Sequence, residues 1–541
     1  MEIEQPAPTT ITPGESRGRA LLSWAGKQRP APVPVVGARL VEIVDPRREL
    51  PLAQAEAQPA LVPQPDSFFG QALPNLLYYG DNLSVLAHLL AHGWAGKVKL
   101  VYIDPPFDSG GDWARKVRLR DGNKQLLGET VQYRDNWSGD SYLQFIYERL
   151  FLLRDLLAED GSLWLHCDYR QVHRLRLLLE EVFGEGNYLN TIAWRSQVAR
   201  GAKVNAFYFP YSTQYIEIFA KNRAAPTVWN PQRKRLIFSR AQAAAQFMED
   251  ERGFFRTSDP GTYSFDKLKE LHAAGRLYAP YGGEVVVDEA ARRVYPSKGG
   301  NIGVKYYLTR LSDDRFVAER GVDNLWDDIP GLGTTPGEDM GYPTQKTEAL
   351  LRRVIAAATR PGDVVLDCFL GSGTTAAVAQ KMGRHWIGCD LGYGAIQTAR
   401  RRLQRVIQEA GPGFALYAMS DVEPPPVDGA TLAVTMQRAA DAPGQVEIEI
   451  VDYMAHAPQE GSEPPRRVRP HRAADWRALV DAVDIDPHYD GAIFQAVVAD
   501  IPVKKRDAVI GRYRVAAPEG ATVALRITDI FGNEHLSVQQ V

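Results

Sequence analysis

Residues 364 to 383 read VVLDCFLGSGTTAAVAQKMG. An apolar run (Val364, Val365, Leu366) stops at Asp367, a glycine-bearing turn follows, and helical spacing begins near Thr374. That grammar predicts a buried strand, a tight turn and a helix, the local unit of a nucleotide-type binding site. Gly371 and Gly373 leave room where a Cβ would push a ligand away. The next apolar run, HWIGCD, ends at Asp390, which suits an acid at the tip of a neighbouring strand accepting from ribose hydroxyls. The residue three positions after Gly373 is Ala376, so the turn is not G-x-G-x-x-G, and no G-K-[ST] occurs in the chain. A dinucleotide and a nucleoside triphosphate are therefore disfavoured. S-adenosylmethionine, which carries adenosine and no pyrophosphate, fits best. Asp367, Gly371, Gly373, Thr374 and Asp390 are the candidate cofactor residues.

A second strand end lies far upstream, in LVYIDPPFDSG at 100 to 110. Proline donates no ladder hydrogen bond and restricts the residue before it, so Asp104-Pro105-Pro106 ends the strand. On its own the string is consistent with a plain turn. Paired with the first site it places a carboxylate on the edge where parallel α/β sheets bind ligands.

Between and around these sites, apolar strand-like runs alternate with helical patterns: LLYYGDNLSVLAHLL, KVKLVYI, the second half of YRDNWSGDSYLQFIYERLFLLRDLLAEDG, GSLWLHCD and HRLRLLLEEVFG. The alternation predicts an α/β fold with a doubly wound, mostly parallel sheet. Residues 1–65, rich in Pro and Ala, are expected to be a largely disordered arm, with RALLSWAG a possible short docking helix. Residues 66–220 then hold one half of the catalytic domain and 336–415 the other. The irregular, Arg- and Tyr-rich segment 221–335 reads as an insertion, 416–430 (DVEPPPVDGA) as a linker, and 431–541 as a small, sandwich-like β domain.

The chain has 541 residues, 45% hydrophobic and 24% charged, with a formal net charge of −3. That global balance argues mildly against a nucleic-acid partner, but charge is uneven. From Gly186 to Met248 there are nine basic residues, among them Arg195, Arg200, Lys203, Arg233, Lys234 and Arg235, against one acid, Glu217. Aromatics such as Trp194, Phe207, Tyr208, Phe209 and Tyr211 interleave with them. Such a surface suits phosphates and exposed bases, whereas its bland alternative is a solvated charged face over a core. Cys167, Cys368 and Cys389 form no C-x-x-C pair, so no metal site or disulfide framework is expected. No apolar run reaches membrane-span length, and a cytoplasmic location is expected.

With both sites in view, the sequence resembles site-specific DNA amino-methyltransferases of the permuted (beta) class, in which D-P-P-[FYW] precedes F-x-G-x-G. It is most similar to the modification subunits of type III restriction systems and related adenine-specific enzymes. YYGDNLSVL, YRDNWSGDSYLQFIYERL, GYPTQK and RHWIGCDL also match, over roughly residues 75–220 and 320–405. Two small departures are Cys368 and Thr347, where the family often has proline.

The resemblance implies a class I S-adenosylmethionine-dependent methyltransferase fold in circularly permuted order, with 221–335 as target-recognition region. It implies that Asp104 and the Pro105 carbonyl accept the two N–H groups of adenine's exocyclic amine, that Pro106 stiffens the loop, and that Phe107 stacks on a flipped base. Phe369 would line the cofactor with the two glycines, and Tyr342 to Lys346, with Thr344 and Lys346 as binding residues, would close over the methionine moiety. The implied partners are duplex DNA, a separate restriction or translocase subunit and a second copy of the chain. Cytosine N4 is the alternative acceptor, since it is also an exocyclic amine. An RNA or protein-amide methyltransferase would more often carry Asn at 104, and a non-catalytic scaffold would not need both motifs intact.

Overall fold

The computed structural model describes residues 10–11, 21–45, 75–121, 126–138, 140–198, 207–225, 227–409, 412–422, 431–455, 466–468, 473–504 and 506–541. These fall into two compact units, residues 231–323 and the remainder.

The larger unit is organised by an eleven-stranded sheet. We number its strands in chain order: β1 Ala38–Val44, β2 Asn75–Tyr79, β3 Val98–Ile103, β4 Leu157–Cys167, β5 Tyr188–Trp194, β6 Gln214–Ala220, β7 Leu325–Trp326, β8 Val364–Asp367, β9 His385–Asp390, β10 Phe414–Met419 and β11 Phe494–Gln495. Their spatial order is β7-β5-β6-β4-β3-β8-β9-β2-β10-β1-β11. The six strands from β4 to β10 pair in parallel. Antiparallel β6 and β1 extend this core on its two sides. Strands β3, β8 and β9 are buried almost throughout, as expected for apolar runs covered on both faces.

Helices α1 Asn82–Ala91, α2 Ser141–Leu156, α3 Val172–Phe183, α4 Glu348–Ala358, α5 Thr374–Lys381 and α6 Tyr393–Glu409 complete the α/β layers. Asp81 caps α1 by accepting from Leu83 N at 2.8 Å. Because β3 leads through α2 to β4 on one side while β8 leads through α5 to β9 on the other, the winding reverses between β3 and β8. Ligands of open α/β sheets bind at such a switch point.

The N-terminal segment departs from expectation. Ala38–Val44 is not disordered but pairs with β10. The run ARLVEIV has the period-two pattern of a strand, which its Pro-rich flanks conceal. Leu22 and Trp24 pack on the main core without forming the docking helix, and Lys27 pairs with Glu181 at 2.7 Å. Residues 1–9, 12–20 and 46–65 lie outside the described residues.

Residues 431–541 carry two antiparallel sheets, one of Thr431–Arg438, Gln445–Met454 and Arg512–Ala516, the other of Val480–Asp486, Val498–Asp500, Thr522–Asp529 and Glu534–Gln540. Both share a core that includes Val446, Ile448, Val483, Val523 and Ile527, and that also takes in Val117 and Leu127 from the hairpin after β3. They lie in the same compact unit as the central sheet.

The smaller unit contains a three-stranded sheet (Arg233–Ser239, Arg315–Gly321, Thr309–Ser312), a four-stranded sheet, a hairpin and two short helices. Ser239 opens the first helix with a capping box to Gln242. On its first strand, Arg233 and Arg235 are exposed on one face while half-buried Lys234 points to the other. Three adjacent bases therefore do not make one patch.

Candidate active site

Asp104 follows the last residue of β3, and Lys346 reaches it from the segment before α4. The Lys346 Nζ stands 2.5 Å from Asp104 Oδ2. The other oxygen, Oδ1, is buried without a hydrogen-bond partner. His166 Nδ1 stands 3.9 Å from it. That ring is already engaged, since Nδ1 meets the Tyr102 hydroxyl at 2.8 Å and Nε2 meets Gln214 Oε1 at 2.9 Å. Burial and the Lys346 charge push the His166 imidazole well below its ordinary pKa, so it is neutral. Burial raises the Asp104 carboxyl, and Lys346 opposes that rise. An unsatisfied buried acceptor is costly, and Oδ1 keeps acceptor capacity that no group of the described residues uses.

The loop after Asp104 is held by a residue with no role in the sequence reading. Asp135, 1% exposed, accepts from the backbone N–H groups of Phe107, Asp108 and Ser109 at 3.2, 2.9 and 2.9 Å. It also accepts from the Ser109 hydroxyl at 2.6 Å and Trp137 Nε1 at 3.0 Å. One buried carboxylate thereby fixes three consecutive amides and lets Asp108 sit at φ 56. The signal was visible as the acid of YRDNW. Phe107 presents its ring near Lys346 Nζ, 5.1 Å from the centroid. Tyr169 and Tyr211 stack nearby on the same cleft, centroids 3.5 Å apart.

Across the switch point, Asp367 does structural work. Its oxygens accept from Thr375 Oγ1 at 2.6 Å and Phe369 N at 3.0 Å, stapling the turn. Burial pushes its carboxyl up to about 7. Asp390, at the end of β9, accepts from Gly371 N and Gly392 N, both at 2.8 Å, and burial pushes it up to about 6. The two glycines differ in purpose. Gly371 lies at φ 53 on the cleft wall, where a Cβ would come 3.2 Å from Tyr342 Cε1. Gly373 lies at φ 75 behind the wall, where a Cβ would come 2.9 Å from Ala399 Cβ of α6. It permits helix packing rather than ligand approach. Thr374 is buried and bonded to Arg402 Nη1 at 2.8 Å. Thr344 holds φ 59, rare for a β-branched residue, and meets the Tyr133 hydroxyl at 2.9 Å.

One cleft of about 1520 Å³ joins these groups, lined by Asp104, Phe107, Thr344, Lys346, Phe369, Gly371 and Asp390. An acid at the end of β9, a glycine wall and the Asp104 carboxylate border one cleft, and this set of groups fits S-adenosylmethionine with an amine acceptor beside it. Of the basic candidates, Arg195 follows β5 and donates its N–H to Trp326 O at 2.8 Å. Arg200 and Lys203 lie outside the described residues, and Arg233, Lys234 and Arg235 belong to the smaller unit.

A parallel α/β sheet whose switch point joins D-P-P-F to an acid, G-x-G turn and second acid defines a methyltransferase of the S-adenosylmethionine-dependent class. The chain belongs to the DNA methylase family, whose model matches residues 98–401. Type II methyltransferase M.EcaI of Enterobacter cloacae is 28% identical over 61% of this chain and 69% of its own length. The EcoP15I Mod subunit of a type III restriction-modification enzyme of Escherichia coli is 32% identical over 56% of this chain and 55% of its own. The probable HindVI Mod subunit of Haemophilus influenzae is 27% identical over 64% and 52%. The chain thus spans little more than half the length of these Mod subunits. Among solved structures, a complex of M1.HpyAVI with SAM aligns at 17% identity and TM-score 0.31, over 61% of this chain and 98% of that one.

Proposed function

We propose that this chain transfers a methyl group from S-adenosylmethionine to the N6 amino group of adenine in duplex DNA. The observation that carries the reading is the unpartnered Asp104 Oδ1, one strand away from the Gly371–Asp390 cofactor wall. The cofactor supplies an electrophilic methyl on a sulfonium. The amine is a poor nucleophile because its lone pair is delocalised into the ring. Asp104 Oδ1 and the Pro105 carbonyl accept its two N–H groups and turn the lone pair toward the methyl, a placement effect. Lys346 occupies Oδ2 and favours the ionised, accepting form. Asp135 keeps the loop still, and Phe107 stacks on the base once it leaves the duplex.

In this reading the family motifs run in permuted order, the smaller unit and the basic 186–248 stretch recognise the target, and the enzyme acts in a restriction-modification setting with a restriction subunit or a second copy as partner. Transfer of label from S-adenosylmethionine to duplex DNA tests it. The intact chain transfers, whereas Asp104→Ala does not and still binds cofactor in calorimetry. Turnover retained in that variant overturns the role of Asp104.

A further inference from the structure

On the cofactor reading above, Asp390 would accept from the ribose, which would put the purine toward Leu391, Gly392 and Tyr393 at the start of α6 and the methionine end toward Gly371, all on one cleft. Beside the start of α6, residues from the chain's last hundred, Tyr489, Phe494, Phe531, Gly532 and Glu534, line the same cleft.

This wall is bonded to the cofactor helix. The Tyr393 hydroxyl donates to Glu534 Oε2 at 2.7 Å. Gln397 Nε2 donates to Gly532 O at 3.0 Å and to Glu534 Oε1 at 3.1 Å. Arg400, fully buried, pairs with Glu534 Oε1 at 2.5 Å and with Glu42 of β1 at 3.3 Å. Arg526 ties Glu42 at 2.6 Å to Asp484 at 2.8 Å. Although burial alone raises the Glu534 carboxyl, Arg400 and Arg526 hold it down to about 2, so the anchor is charged. Gly532 sits at φ 88 close to Gln397, where a Cβ would come 3.1 Å from its Oε1. Bonds this closely spaced, between a β hairpin and the first two turns of α6, set the position of Tyr393 and of the loop that Asp390 holds.

We propose that the C-terminal β region is the adenosine wall of the cofactor cleft, with Glu534 the positioning residue that locks the first turn of α6 against it. This rests on the cofactor reading above and adds to it a role for residues beyond the family match. Binding and hairpin order are then coupled, because a ligand that contacts the wall stabilises it.

Hydrogen exchange of the full chain with S-adenosylhomocysteine is the test. Slowed exchange is expected both in 369–375 and in Thr522–Gln540. Protection of 369–375 alone overturns the wall and leaves the cofactor site standing, whereas protection in neither overturns both. Glu534→Gln should weaken S-adenosylhomocysteine binding about tenfold. It should raise KM for S-adenosylmethionine with kcat at saturation unchanged, which a loss of folded enzyme would not do. Gln397→Ala should act in the same direction. An unchanged dissociation constant in folded Glu534→Gln overturns the proposal.

Discussion

The Lys346 ammonium and the Asp104 carboxylate meet at 2.5 Å although 242 residues separate them in the chain. The pair occupies one carboxylate oxygen and leaves the other free for the acceptor amine. A buried carboxyl next to a cation ionises more readily, and removing the cation leaves burial unopposed and raises its pKa. Lys346→Met should therefore move the acidic limb of the transfer rate to higher pH, with the lost activity recovering as pH rises. Lys346→Arg should keep most of the wild-type profile. A pH–rate profile of both variants checks this, and an unmoved limb in Lys346→Met contradicts it.

Cofactor affinity should depend on Asp390. Its carboxyl is raised to about 6 by burial, so it is charged at pH 8 and increasingly protonated below 6. A protonated Asp390 is a weaker acceptor for ribose hydroxyls, and the dissociation constant for S-adenosylmethionine should rise as pH falls through about 6. Asp390→Asn should bind weakly with that dependence removed. Calorimetry from pH 5 to 8 decides it.

Folding stability carries the opposite sign at Asp367. Its carboxyl titrates near 7 in the folded chain against an ordinary 3.8. The folded state binds the proton more tightly, so this contribution is full below about pH 4 and is lost as pH rises toward 7. Asp367→Asn should flatten that part of the stability profile, measured by denaturant unfolding between pH 4 and 8.

The two turn glycines should fail differently. Gly373→Ala drives a Cβ against Ala399 at a positive φ, and strain plus overpacking predict a loss of about 2–4 kcal/mol in stability with near-normal cofactor affinity of the folded fraction. Gly371→Val is also strained at its φ of 53, but its branch lies on the cleft wall, so the folded fraction should lose cofactor binding as well as stability. Denaturation and calorimetry on the same samples separate the two outcomes.

On the smaller unit, exposed Arg233 and Arg235 share a face that Lys234 does not. If both touch phosphate, replacing them with Gln should lower the slope of log affinity against log salt by about 1.8, while Lys234→Gln changes it little. Anisotropy titrations with duplex DNA at several salt concentrations read the slope directly.

What the sequence carried most clearly was the switch point. The runs ending at Asp104, Asp367 and Asp390 are short, apolar and bounded by Pro or Gly, so strand ends and their acids could be placed without a fold in hand. Long-range pairing was not legible in the same way. Nothing local announces that Lys346 meets Asp104, or that Asp135 collects the amides of a loop 26 to 28 residues upstream. Gly373 shows the limit of motif grammar, because a glycine kept for a ligand and one kept for a neighbouring helix read alike. Ala38–Val44 shows the limit of composition, since Pro-rich flanks outweighed seven residues of strand pattern. The bonds from Glu534 to Tyr393, Gln397 and Arg400 join segments more than 130 residues apart and left no local trace.

The proposed acceptor is N6 of adenine in duplex DNA. Mass spectrometry of nucleosides from duplex DNA incubated with the enzyme and isotopically labelled S-adenosylmethionine tests it most directly. The account predicts label in N6-methyladenine, lost in Asp104→Ala; label in N4-methylcytosine with none in N6-methyladenine would contradict it.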